Sequence, residues 1–395
     1  MKIRRVAVIG AGTMGTGIAL TFANAGIPVH VIEPSEDALA RASAGVRRTY
    51  AQMAERGRID AAEGDARLAR IDMGASEDAL AEVDLAIEAA FEDLAVKREI
   101  FERLGARTRV DAILATNTST LDVDAIAAAA PHPERSLGLH FFSPANVMRL
   151  LEIVRGARTS EATLATAVAL GERLGKVPVV VGNCDGFVGN RMLHKYRREA
   201  ELLLETGATP QHVDGVLRAF GFAMGPFEVA DLAGVDIGWR AKVERLRRGP
   251  SPFRLSQLPD ALVAAGRLGQ KSGAGYYRYV PNDRTPYPDP AFDAILADVR
   301  TRAGIVPRPV GDDEILRRTL AALVNEGAHV LDEGIARSPD DVDAIWVNGY
   351  GFPKARGGPM RYAATLGTDR VLADVRAFAR DDPAFWIPAR RLTSP

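Results

Sequence analysis

The chain has 395 residues, longer than one ordinary domain, which predicts two or three. A composition of 47% hydrophobic and 26% charged residues is that of a globular protein with a sizeable core, and a net charge of −1 with a pI near 6.6 gives no electrostatic basis for nucleic-acid binding. The single cysteine, Cys184, excludes an intramolecular disulfide and a thiolate zinc cluster, so no metal centre is expected and a reducing, cytoplasmic setting is.

The N-terminal run RRVAVIG is too short and too glycine-punctuated for a signal peptide or a membrane span, and no membrane association is expected. From Arg5 to Ala25 the pattern is a buried apolar strand, a glycine turn, then a helix with apolar residues at helical spacing. Gly10, Gly12 and Gly15 have the spacing G-x-G-x-x-G. The first glycine permits the tight turn, the second lets backbone approach a pyrophosphate, and the third allows close helix–strand packing. Thr13 and Met14 lie inside this turn, where the free N–H groups and positive end of the helix favour phosphate. A second strand, PVHVIE, ends in Glu33, 23 residues beyond Gly10. A carboxylate there can accept from the adenosine ribose hydroxyls and repel a 2′-phosphate, which favours NAD over NADP; an ordinary strand-end acid is the alternative.

Ala38 to Arg58 reads as a basic helix, with Arg41, Arg47, Arg48, Arg56 and Arg58 against Glu55 alone. It is either a solvated face or an arm that grips an anionic substrate such as a coenzyme A phosphate. The strand DLAIEAA and the helix from Leu94 to Leu104 place Glu92 and Lys97 at the C-terminal mouth of the sheet, where open α/β sheets bind ligands. AILATNTS is a strand that stops in small polar residues, Asn117 and Ser119 among them. These either cap the helix near Asp122 or present a hydroxyl to nicotinamide or substrate.

The apolar runs SLGLHFF and MRLLEIV are joined by a Ser-Pro-Ala-Asn turn, so a hairpin-like return brings His140 near Glu152. A helix from Glu161 to Leu174 and the strand VPVVV complete an alternating β/α pattern that implies a parallel, doubly wound sheet. The expected fold is an α/β Rossmann-like domain, residues 1–183, followed by two tandem, related all-α domains. The first helical domain spans 184–280. The second, 311–395, repeats its landmarks: a helix with Glu, a turn Gly, a Pro-initiated helix with Val-Asp, then Gly-Phe and Gly-Pro. Residues 281–310, opening with PNDRTPYPDP, read as a proline-rich linker.

A dinucleotide beside His140 and Glu152 suits alcohol oxidation, in which a hydroxyl proton leaves as hydride departs from the same carbon. An imidazole, which titrates near neutrality, can take that proton, and a carboxylate on its other nitrogen fixes the tautomer. Ser119 and Asn190 are candidate hydrogen-bond partners for the reacting oxygen.

At GAGTMGTGIA, EAAFEDLAVK, NTSTL, GLHFFSPANVMRLLE, GFVGNR, MGPFEVADLAG and GQKSGAGYY, spread over nearly the whole chain, the sequence resembles the L-3-hydroxyacyl-CoA dehydrogenase family. It is most similar to the dehydrogenase part of peroxisomal-type bifunctional β-oxidation enzymes, without their hydratase/isomerase domain. The resemblance implies His140 as catalytic base with Glu152 as partner, and Ser119 and Asn190 as substrate contacts. It also implies Gly10, Gly12, Thr13, Met14, Gly15, Glu33, Glu92, Lys97 and Asn117 around NAD, and the basic helix over coenzyme A. Ser143 departs from the Asn found in many members.

The position matching Asn190 in the second repeat is about Arg317, without a GFVGNR run, so the second copy is expected to carry no active site. A fused second copy could replace the contact that pairs single-copy chains, which predicts a monomer and a separate enoyl-CoA hydratase as possible partner. A biosynthetic 3-oxoacyl thioester reductase, a dehydrogenase of a non-CoA hydroxy acid and a non-catalytic NAD-binding protein are the alternative readings.

Overall fold

The structure is a computed structural model and describes residues 1–393. Two compact units emerge: residues 1–188 with 334–349, and residues 189–333 with the segment from 350 onward.

The first unit is built on an eight-stranded sheet. Its elements are β1 (Val6–Ile9), α1 (Thr13–Asn24), β2 (Val29–Ile32), α2 (Glu36–Glu55), α3 (Ala61–Leu68), β3 (Ile71–Gly74), β4 (Leu85–Glu88), α4 (Leu94–Arg107), β5 (Ile113–Thr116), α5 (Val123–Ala127), β6 (Ser136–Phe141), β7 (Leu150–Arg155), α6 (Glu161–Arg173) and β8 (Val177–Gly182). Strand order is β3-β2-β1-β4-β5-β6-β7-β8, parallel throughout except for the antiparallel β6–β7 pair.

Strands buried on both faces read as continuous apolar runs, and each strand's side chains alternate between two cores. Val6, Val8, Val29 and Val31 pack with Ile18 and Phe22 of α1 and Leu164 and Leu170 of α6. Ala7, Ile9, Ala86 and Leu114 face the other way, toward Ile100, Phe101 and Leu104 of α4. These two cores are the doubly wound arrangement the alternation predicted. Side-chain caps set the helix starts: Ser35 on α2, Asp93 on α4, Asp122 on α5 and Ser160 on α6 each accept from a first-turn N–H.

The second unit contains α7 (Gly189–Thr206), α8 (Pro210–Phe220), α9 (Pro226–Ala233), α10 (Val235–Arg248), α11 (Leu258–Ala264), a hairpin of β9 (Arg278–Val280) and β10 (Asp283–Tyr287), α12 (Pro290–Arg302) and α13 (Asp312–Asp332). Beyond α14 (Pro339–Gly349), which belongs to the first unit, it continues with α15 (Pro359–Leu366), α16 (Thr368–Phe378) and α17 (Arg390–Thr393). Two buried carboxylates fasten this unit. Asp214 accepts from the N–H groups of Phe227 and Glu228 and from the Tyr277 hydroxyl, and Asp231 accepts from the N–H groups of Tyr276 and Tyr277 and the Tyr279 hydroxyl. The segments MGPFEVADLAG and GQKSGAGYY are therefore bonded to each other.

Two expectations from sequence are corrected. Residues 281–310 are not a bare linker: β10 pairs with β9, and α12 buries Phe292, Leu296 and Val299. Pro290 sits at the first turn of α12, where its missing N–H costs nothing, and Pro286 lies in a two-stranded ribbon with a free edge. The second repeat, read as 311–395, is also not one body, and its last two residues lie outside the described residues. α13 packs along α7 within the second unit, whereas α14 packs on β7 and β8 of the first with Val342, Ile345 and Trp346 buried. The Gly182 N–H donates to the Ile335 carbonyl at 2.7 Å.

Candidate active site

The dinucleotide turn follows β1. Gly10 has φ 105°, and a Cβ there would lie 2.9 Å from the Ala89 carbonyl oxygen; a Cβ on Gly15 would lie 1.9 Å from the Gly10 oxygen. Both positions admit only glycine. A Cβ on Gly12 would meet nothing within 4 Å, and Gly12 begins α1 with no side-chain cap and no acidic residue in the first turn. Open space before uncapped N–H groups fits a pyrophosphate, so the residues present suit a dinucleotide. Thr13 is exposed and Met14 half-buried beside this opening. Glu33 reaches back to it: Oε2 accepts from the Ala11 N–H at 3.1 Å and Oε1 from the Ser35 N–H at 3.1 Å.

At the ends of β4 and β5 stands a charged cluster that sequence reasoning read only in part. Lys97 Nζ is buried and donates to both oxygens of Glu88, at 2.8 and 2.9 Å, and lies 3.3 Å from Glu92. Glu88 also accepts from the Thr116 hydroxyl at 2.7 Å and the Ala90 N–H at 2.7 Å. Glu88 was missed, although an acid closing the buried run DLAIE was itself a signal. Glu92 Oε1 accepts from the Thr118 hydroxyl at 2.7 Å and the Ser119 N–H at 2.8 Å, and lies 3.2 Å from the Ser119 hydroxyl. Burial pushes the Glu92 carboxyl up, but Lys97, the Thr118 hydroxyl and the Ser119 N–H outweigh it and leave its pKa below the ordinary value. Asn117 Oδ1 accepts from the Phe141 N–H at 2.9 Å, tying the end of β5 to the end of β6.

His140 and Glu152 are direct partners in the antiparallel β6–β7 register. The His140 Nδ1 lies 2.8 Å from Glu152 Oε2; Glu152 is fully buried and His140 is 6% exposed. Phe142 and Phe187 flank the imidazole with ring centroids at 4.4 and 5.6 Å. An ionised carboxylate only accepts, so a charged Glu152 at this contact would hold the ring proton on Nδ1 and leave the Nε2 lone pair free to accept.

Asn190 stands on α7 in the second unit, and its Oδ1 accepts from the Tyr350 hydroxyl at 2.9 Å. Arg317, its counterpart in the repeat, is bonded to Asp374 and Asp313. The five arginines of the basic segment, Arg41, Arg47, Arg48, Arg56 and Arg58, are all exposed. The described residues hold no cluster of three or more metal-binding side chains and no helix long and apolar enough to cross a membrane.

Comparison with known proteins places the chain in a family. Residues 5–184 match the 3-hydroxyacyl-CoA dehydrogenase NAD binding domain, and residues 186–279 and 315–385 both match the family's C-terminal domain, which accounts for the repeat. The peroxisomal bifunctional enzyme of Danio rerio is 46% identical over 383 residues, covering 94% of this chain and 53% of that protein. The chain thus spans about half the length of the curated relatives it matches. The crystal structure of 3-hydroxybutyryl-CoA dehydrogenase from Escherichia coli K12 superposes with a TM-score of 0.86 at 29% identity, covering 100% of this chain and 98% of that one. (S)-3-hydroxybutyryl-CoA dehydrogenase from Ralstonia eutropha, at 35% identity and TM-score 0.67, covers 71% of this chain and 100% of its own. From the two matched domains and the 46% identity over 383 residues, the chain belongs to the 3-hydroxyacyl-CoA dehydrogenase family.

Proposed function

We propose that the protein catalyses reversible, NAD-dependent oxidation of (3S)-3-hydroxyacyl-CoA to 3-oxoacyl-CoA in fatty acid β-oxidation. The observation that carries this reading is the contact between His140 Nδ1 and Glu152 Oε2, in the same unit as a glycine turn fitted to a dinucleotide. His140 Nε2 takes the proton of the 3-hydroxyl group. Glu152 stabilises the imidazolium that forms and holds the ring in one tautomer. In the reductive direction the same nitrogen returns the proton to the carbonyl oxygen. Ser119, held by Glu92, bonds the reacting oxygen, where negative charge develops, and Asn190 keeps the role of substrate contact that the family resemblance implies. NAD, when bound, would accept the hydride that leaves the substrate carbon. Gly10, Gly12, Thr13, Met14, Gly15, Glu33, Glu92, Lys97 and Asn117 form its site, and the exposed arginines of α2 and the turn after it meet the coenzyme A phosphates.

The packing of α13 along α7 supports a monomer whose helical copies pair within one chain. An enoyl-CoA hydratase is the proposed partner activity, because hydration of an enoyl-CoA yields the 3-hydroxyacyl-CoA substrate. The cytoplasm is the proposed compartment. Purified protein should oxidise NADH when given acetoacetyl-CoA, and His140→Ala should lose most of that rate while still binding NADH. Equal rates in the two proteins would remove His140 from the role of base.

A further inference from the structure

Eight residues, 142–149, join β6 to β7 and so connect the strand of His140 to the strand of Glu152. Two neighbours hold this loop. Lys176, the residue before β8, donates from Nζ to the carbonyls of Ala145 and, at 2.7 Å, Met148. The second is α1: a Cβ on Gly17 would stand 3.2 Å from the Ala145 Cβ and 3.3 Å from the Ala145 nitrogen. Ala145, only 1% exposed, therefore touches the helix that follows the dinucleotide turn and accepts from Lys176 at once.

The Lys176 ammonium has no carboxylate partner among the described residues, and burial holds its pKa down to about 8. An ammonium half-buried on carbonyls alone loses hydration without a counter-charge, an arrangement that stability by itself does not favour. Its effect is geometric. The Val177 N–H donates to the Arg149 carbonyl at 2.7 Å, so Lys176 and its neighbour stitch the end of the loop to β8 two residues before Glu152 pairs with Val179.

We propose that Lys176 is a positioning residue for the dehydrogenation: by clamping Ala145 and Met148 it sets the spacing between α1, which carries the dinucleotide turn, and the His140–Glu152 pair. This rests on the functional reading above. An error of about 1 Å in such spacing costs on the order of 10²-fold in rate while leaving binding nearly intact.

The test compares Lys176→Met, which keeps the stem and loses the donors, with Lys176→Arg and with Gly17→Ala, which pushes the same loop from the α1 side. With acetoacetyl-CoA and NADH deuterated at C4, Lys176→Met and Gly17→Ala should each lower kcat about tenfold or more. The primary isotope effect on kcat should rise, and the Kd for NADH should stay within about twofold. Lys176→Arg should recover a large part of kcat. A folded Lys176→Met with unchanged kcat and isotope effect would overturn the proposal, as would a loss that only tracks the unfolded fraction. Wild-type protein inactive on acetoacetyl-CoA would count against the functional reading instead. Amide hydrogen exchange at residues 145–148 would then still decide the clamp, expected to quicken in Lys176→Met and refuting it if unchanged.

Discussion

Glu152 Oε2 lies 2.8 Å from Nδ1 of His140 because the two residues are register partners across β6 and β7, so the backbone pairing itself presents the carboxylate to the ring. Glu152→Gln keeps the size of the side chain and removes the charge that, in the proposed mechanism, stabilises the imidazolium. We expect kcat to fall about 10²-fold and His140→Ala to cost up to about 10⁴-fold, with NADH affinity retained in both. Steady-state kinetics beside fluorescence titration of NADH checks this; a Glu152→Gln enzyme at full kcat would rule out the carboxylate's part.

Glu33 faces the glycine turn through the Ala11 N–H, where a 2′-phosphate would meet its charge. Glu33→Ala should raise kcat/KM with NADPH relative to NADH by about tenfold or more, equivalent to about 1.4 kcal/mol of relieved repulsion. An unchanged cofactor ratio would assign the preference elsewhere.

The Cβ of a Gly15→Ala variant would start 1.9 Å from the Gly10 oxygen, an atom of backbone that cannot swing away. The variant should lose about 1–3 kcal/mol of stability and most of its NADH binding. Thermal melts with NADH titration read both effects. Gly12→Ala, with open space at its Cβ, should melt like the parent chain yet bind NADH less well.

Glu92 titrates below its ordinary value of 4.5 because Lys97, the Thr118 hydroxyl and the Ser119 N–H overcome the effect of burial. A depressed carboxyl contributes its stabilisation above the unfolded-state value and loses it as pH falls through the lower folded-state one. Order in residues 118–120 should therefore persist through neutral pH and weaken in acid below about 4.5. Hydrogen exchange of those amides against pH measures it. Glu92→Gln should show the weakened loop at pH 7 and lose the acid dependence.

The exposed arginines from Arg41 to Arg58 offer a different kind of check. Arg47→Glu with Arg48→Glu should raise KM for acetoacetyl-CoA about tenfold, roughly the worth of 1.4 kcal/mol, and leave KM for the acetoacetyl thioester of pantetheine nearly unchanged. Equal effects on the two thioesters would detach the arm from the coenzyme A phosphates.

Local patterns made much of this legible. The glycine turn, the apolar strands and the two runs around SPAN each state their geometry within a dozen residues, so the His140–Glu152 hairpin followed from them. Glu88 was not legible, because its meaning depends on Lys97 in the next helix and on Thr116 in the next strand. β3 escaped because Ile71–Gly74 is a half-buried edge strand with two apolar residues. The prolines of 281–310 misled, since a proline ending one element and a proline opening the next are the same letter. The placement of α14 was hidden for a stronger reason: a repeat in sequence says that two segments share a local shape, and not which core each one joins.

That placement has a consequence for how the chain is made. The first unit covers β7 and β8 with residues 334–349, which leave the ribosome only after the whole of 189–333. Pairing across so long a separation is slow to nucleate, and until it happens the faces that Trp346 and Ile345 will bury stay open. Although the β6–β7 hairpin is complete by Arg155, its unit cannot close before residues 334–349 have emerged. A nascent chain stalled before Gly334 should therefore expose this sheet to chaperones and proteases, and one stalled well beyond Gly349 should resist them.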